Sequence, residues 1–207
     1  CKQCHPGHYE TWHDSYHRTM TQAVSPETVI AAFDRDVEVY GKTYRVARRG
    51  DDFWIDVPGV DGQPVSKRMV MSTGSHHQQT FWLDAGDGQP PELSPIVYVI
   101  AEDKWVPMGD IFMLPEGRAF KPDWNQDCVF CHSTQTRALT PTGENREVTE
   151  FGIACEACHG PAEAHIRAHQ SPFERIDRHL TEGADPTIVN PARLSPERSA
   201  MVCGQCH

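Results

Sequence analysis

The sequence predicts an α+β protein, mainly short helices and loops with a β-rich insertion over about residues 36–112. Three observations lead to this. The pentapeptide C-x-x-C-H occurs four times and uses all eight cysteines. Short aromatic and amphipathic segments, two of them opening on Ser-Pro-Glu, surround these repeats. Between the first repeat and the second, the pattern changes to apolar–polar alternation punctuated by Gly and Pro, the signature of strands.

Taken in order, residues 7–20 predict one helix, with Tyr9, Trp12 and Tyr16 on one face and His13, His17 and Met20 on the next. Ser25-Pro26-Glu27 predicts a second, with Ser as N-cap and Pro in the first turn. Val37, Val39 and Thr43–Val46 read as strands, Gly50-Asp51 as a turn, and Phe53–Val57 as the return strand. Met69–Met71, Thr80–Leu83 and Ile96–Ile100 add further strands. Thr149 is expected to cap a helix leading into Cys155, and Gly160-Pro161 to end it. Ser195-Pro196-Glu197 opens a last helix that runs into the fourth repeat. The expectation is a single domain over 1–207, comprising a first region (1–35), the insertion (36–112) and a region with three repeats (113–207).

The repeats carry the chemistry. They are Cys1-Lys2-Gln3-Cys4-His5, Cys128-Val129-Phe130-Cys131-His132, Cys155-Glu156-Ala157-Cys158-His159 and Cys203-Gly204-Gln205-Cys206-His207, with 122, 22 and 43 residues between them. C-x-x-C-H is the attachment site of a c-type haem: two thiols add to the vinyl groups of the porphyrin, and the adjacent histidine ligates the iron. Zinc sites do not require His after every Cys pair, and a disulfide framework would not give every cysteine the same short spacing. The sequence therefore implies four covalently attached haem c groups, with His5, His132, His159 and His207 as proximal ligands. Such cofactors are expected to form much of the core and to be needed for a stable fold.

Each iron has a second axial position, whose occupant decides its behaviour. Eight further histidines are available: His8, His13, His17, His76, His77, His165, His169 and His179. His17 leads, because its aromatic neighbours can pack on porphyrin, and it is better placed for a neighbouring haem than for the first. His165 follows, beyond the helix break at Gly160-Pro161. In a strand His76 and His77 would point to opposite faces, so only one should ligate, with His77 preferred. The fourth ligand stays open among His8, His13, His169 and His179, with Met20 or a residue from another chain as alternatives.

The formal net charge is -10, which argues against nucleic acid, whose binders carry basic patches. No apolar run approaches the length of a membrane span. Cytochrome c maturation occurs outside the cytoplasm, so a periplasmic or extracellular protein is expected. The chain itself reads as the processed or visible part of a longer polypeptide.

Trp12-x-x-Ser15-x-His17, Gly74-Ser75-His76-His77-Gln78 with Trp82, and Cys155-Glu156-Ala157-Cys158-His159-Gly160-Pro161-x-x-x-His165 resemble segments of multihaem cytochromes c. The resemblance is to the tetrahaem cytochromes associated with hydroxylamine oxidation and to related extracellular or periplasmic multihaem cytochromes. It implies mostly bis-histidine, low-spin haems in closely spaced pairs. It also implies His17, His165 and one of His76 or His77 as distal ligands. Three functions are then in view. The first is electron transfer between redox partner proteins or extracellular acceptors, without catalysis. The second is a subunit of a haem-lined filament built from copies of itself. The third is reduction of a small nitrogen or oxygen species at a five-coordinate haem.

Overall fold

The computed structural model describes residues 1–59, 61–86, 88–115, 118, 120–142, 146–181 and 183–207. In chain order the helices are α1 (Pro6–His13), α2 (Tyr16–Thr19), α3 (Met108–Ile111), α4 (Val129–His132), α5 (Cys155–His159), α6 (Glu163–Ala168), α7 (Pro172–Leu180) and α8 (Pro196–Cys203). The strands are β1 (Thr21–Ala23), β2 (Arg35–Val39), β3 (Lys42–Arg49), β4 (Asp52–Pro58), β5 (Pro64–Thr73), β6 (Gln78–Leu83), β7 (Glu92–Val99), β8 (Lys104–Pro107), β9 (Ser133–Ala138) and β10 (Arg146–Phe151). The fold class is α+β, as expected.

Strands β2 to β8 pair antiparallel in sequence order, with β1 added against the far end of β5. Tyr40 and Gly41 both have positive φ (49° and 68°), as a two-residue hairpin between β2 and β3 requires. Gly50-Asp51 forms the predicted turn between β3 and β4. The sheet curls until β2 meets β8, leaving it nearly closed.

Its inner face holds the main apolar core: Val37, Val46, Phe53, Ile55, Met69, Phe81, Leu83, Ile96, Tyr98 and Trp105. Phe33 plugs one end, edge-on to Phe53, Phe81 and Trp105. The plug is tied by Gln79, which is fully buried. Its Oε1 accepts from the Ile30 and Ala31 amides (2.8 and 3.1 Å), and its Nε2 donates to the Thr28 carbonyl (2.8 Å).

The sheet serves both its faces because β5 is bulged. Met69 pairs with Leu83 but Met71 pairs with Trp82, so β5 spends one extra residue there. Met69 therefore joins Leu83 in the inner core, whereas Met71 joins Trp82 outside, in a second cluster with Trp124 and Val129. This outer cluster docks the segment bearing the second C-x-x-C-H repeat. Ser94-Pro95-Ile96 spans a similar register shift in β7, where proline is tolerated.

Several predicted elements differ. Residues 7–20 form two helices, because Ser15 turns extended and caps α2 by accepting from the Arg18 amide. Ser25-Pro26-Glu27 makes only a turn. The Ser25 and Thr28 hydroxyls satisfy its backbone locally, and the chain then enters the sheet plug. Thr149 lies inside β10, and the cap position before α5 is Ala154. His76 and His77 lie in a bend between β5 and β6, not in a strand, since Gly74 (φ 85°) ends β5. Gly160 ends α5, and Ser195 caps α8, as predicted. Among the described residues no helix is long and apolar enough to cross a membrane.

Candidate haem-binding site

The four repeats lie near one another, the first beside the third, the third beside the fourth and the fourth beside the second. The first forms a tight turn, with the Cys4 and His5 amides donating to the Cys1 carbonyl (3.2 and 2.8 Å), before Pro6 opens α1. The second and fourth touch through the Cys131 thiol, which donates to the Gln205 carbonyl (3.7 Å). The third lies beside the fourth: burial, then the neighbouring Cys203 and Cys155, push the Cys158 thiol up. Burial, then Asp127 and Asp123, push the Cys128 thiol up to about 11. Thiols of the second, third and fourth repeats are thus brought together from segments far apart in sequence.

The proximal histidines are held by their neighbours. His159 Nδ1 donates to the Val189 carbonyl (2.8 Å), which leaves Nε2 as the lone-pair nitrogen facing outward. His132 Nδ1 lies 3.4 Å from Thr21 Oγ1, and burial lowers its pKa. Burial, followed by His165 and His8 nearby, lowers that of His5. Lowering favours the neutral imidazole, the form that binds metal.

Three of the eight distal candidates have ring centres about 6 Å from the histidine of a repeat. His5 and His165 have ring centres 6.2 Å apart at an interplanar angle of 21°. His17 and His207 have the same 6.2 Å separation at 90°. An iron held between two imidazoles needs about 2.0 Å for each metal–nitrogen bond and about 1.1 Å more to each ring centre, so roughly 6 Å in all. Both pairs fit. His8 is also 6.3 Å from His5, but it stands on α1, three residues after it in the same chain segment.

Local structure explains these placements. The His17 carbonyl accepts from the Ile153 amide (2.9 Å), and Trp12 Nε1 donates to the Ile153 carbonyl (2.7 Å). Helix α2 is thereby pinned to the strand end just before the third repeat. His165 is placed by Glu156, inside the third repeat. Its Oε1 accepts from the Ala162 amide (2.7 Å), so the start of α6 is fixed relative to the haem motif itself.

The remaining candidates are placed otherwise. His76 stacks on Tyr16 (4.1 Å), next to His17, and His77 packs against His76. His13 lies against Tyr9, and His179 is exposed in the last turn of α7. Met20 is part-buried, with its carbonyl accepting from Gly74. His169 Nε2 is 2.7 Å from Asp185 Oδ2, the oxygen that also lies 3.0 Å from His165 Nδ1. Asp185 was not among the sequence candidates. Only the Asp-Pro-Thr start of its loop hints at the Asx turn in which Thr187 donates to Oδ1 from its amide (2.8 Å) and its hydroxyl (2.5 Å).

The apolar surface also fits a large flat cofactor. Helices α1, α2, α5, α6, α7 and α8 contain no buried residue. On α7 and α8, Phe173 and Met201 are correspondingly open to solvent, at 83% and 65% exposure, as is Phe130 on α4, at 55%. Beside the second repeat, Arg146 lies over Phe130 (4.6 Å) with its buried Nε unpartnered among the described residues, an orphan that a propionate would satisfy.

The family model for cytochrome c554 and c-prime matches residues 1–43 and 115–160, which flank most of the sheet. No curated protein matches the chain. The crystal structure of the outer cell wall cytochrome OcwA shares the fold with a TM-score of 0.59 at 17% identity, covering 100% of this chain and 36% of that one. The chain thus spans about a third of the length of that protein. The four C-x-x-C-H repeats and these two likenesses together support a multihaem c-type cytochrome.

Proposed function

We propose that this chain transfers electrons through four covalently attached haem c groups, at least two of them with two axial histidines, outside the cytoplasm. The observation that carries the reading is the convergence of the four repeats, with His5–His165 and His17–His207 at the separation an iron requires. Bound haem supplies a ferric–ferrous couple whose potential depends on axial ligands, burial and nearby charge.

The chain's own residues hold that couple in place. Cysteines fix each porphyrin edge, and Val189 sets the orientation of the third proximal imidazole. The contacts between repeats bring the sites close enough for electrons to pass among them without bond chemistry. Export is supported by the covalent attachment chemistry, and the structural neighbour is by its title an outer cell wall protein. Redox partners, or acceptors outside the cell, follow from the same reading.

The test uses carbon monoxide on the fully reduced protein, after mass spectrometry has counted the attached haems. Four haem masses are expected. His165→Ala and His17→Ala should each add one haem's worth of carbon monoxide-shifted absorption to that of the parent. Fewer than four attached haems would overturn the count. An unchanged spectrum in both variants would overturn the ligand assignment.

A further inference from the structure

Outside the repeats themselves, His165, His169 and Asp185 bring three potential ligand groups together. Their candidate ligand atoms all lie within 4.8 Å of one another, and all three residues are only partly exposed. Asp185 Oδ2 accepts from His165 Nδ1 and from His169 Nε2. Asp185 Oδ1 is held by Thr187, with Arg178 at 3.6 Å. Both oxygens are engaged, so the carboxylate has little freedom to turn.

We propose that Asp185 is the positioning residue for the distal ligand of the first haem: it fixes the His165 ring and lowers the potential of that iron. This rests on the reading of His5 and His165 as one axial pair. A carboxylate on Nδ1 commits the proton to that nitrogen and leaves Nε2 as the metal-binding one. It also makes the imidazole more basic. A more basic ligand donates more charge and stabilises ferric over ferrous iron, which lowers the potential. His5 has no comparable carboxylate among its described partners, so the effect acts from the distal side. His169, the residue that caps the end of α6, braces the same carboxylate.

The geometry also predicts a signature. Ligand rings near parallel, as here at 21°, give a rhombic low-spin ferric signal in electron paramagnetic resonance. Perpendicular rings, such as His17 and His207 at 90°, give a strongly anisotropic one with a large maximal g value. Without Asp185 the His165 ring can rotate, so the rhombic signal should change and the other should not.

The experiment compares Asp185→Asn, Asp185→Glu and His165→Ala with the parent, all as mature haem-loaded protein. The readouts are midpoint potentials, low-temperature resonance spectra and carbon monoxide binding. In Asp185→Asn one midpoint should rise, and a tenfold loss of ferric preference corresponds to about 59 mV for a one-electron couple. The rhombic signal should shift, and no haem should begin to bind carbon monoxide. Asp185→Glu should recover part of both effects. Unaltered midpoints and spectra in Asp185→Asn would overturn the proposal, as would a change spread equally over all four haems. If His165→Ala opens a haem while Asp185→Asn changes nothing, only the role of Asp185 fails. If His165→Ala opens none, the axial pairing itself fails.

Discussion

Gly152 shows how one residue can position a histidine that is distant in sequence. Its φ is 75°, and a Cβ there would meet the Arg18 carbonyl oxygen at 2.3 Å. Only glycine lets the end of β10 approach α2 this closely, and that approach carries the hydrogen bond from Ile153 to the His17 carbonyl. Gly152→Ala should cost about 1–2 kcal/mol for the left-handed backbone alone, and the clash adds to it. The expected result is a lower unfolding midpoint together with loss of the strongly anisotropic ferric signal assigned to His17 and His207. If that signal persists at full intensity, Gly152 does not position His17. At this scale the sequence was most informative where chemistry fixes spacing: the cysteines and the histidines beside them are assigned from one covalent motif. Asp185 and Val189 could not be read, because their contacts depend on how the chain between α7 and α8 folds back. His169 caps the helix of His165 and is taken up by Asp185.

Among the elements, β6 is the strand through which the sheet reaches both the plug and the haem region. Phe81 and Leu83 face the inner core, Trp82 faces the second repeat, and Gln79 ties in the chain from Thr28 to Ala31. Gln79→Leu keeps the bulk but leaves the Ile30 and Ala31 amides and the Thr28 carbonyl without their partner. An unsatisfied buried group costs about 1–3 kcal/mol, so chemical denaturation should show a loss of at least that order. The absorption of the haems should stay unchanged, since Gln79 touches none of the repeats among the described residues. An altered haem spectrum would mean that the two faces of β6 are coupled. Alternating apolar residues made strands β2 to β7 visible in the sequence. The bulge at Val70 was not, because Met69 and Met71 read as one face until the pairing with Leu83 and Trp82 is known. Hairpin β9–β10 was read partly as a helix approach, since Thr149 has the chemistry of a cap but here occupies a strand.

Over the whole molecule, the two halves bury apolar surface in different ways. The sheet has a core of its own side chains, with Val46, Ile55, Phe81 and Ile96 at 0% exposure. Six of the eight helices in the described residues bury nothing, and three of them, α5, α6 and α8, carry or directly follow haem repeats late in the chain. Sequence composition alone suggested that the haems form much of the core and are needed for a stable fold, because it averages these halves. The structure separates them, so the need for haem should be uneven. Replacing all eight cysteines by alanine removes covalent attachment without touching the inner face of the sheet. Hydrogen exchange on that variant should show β2 to β8 still protected, because their apolar face remains buried. The amides of α5, α6 and α8 should exchange rapidly, since short helices without a packed face are marginal in water. Equal loss of protection in sheet and helices would mean that the haems hold the sheet as well. Protection retained throughout would mean that the late helices pack without them, and the exposed Phe173 and Met201 would then need a different cover.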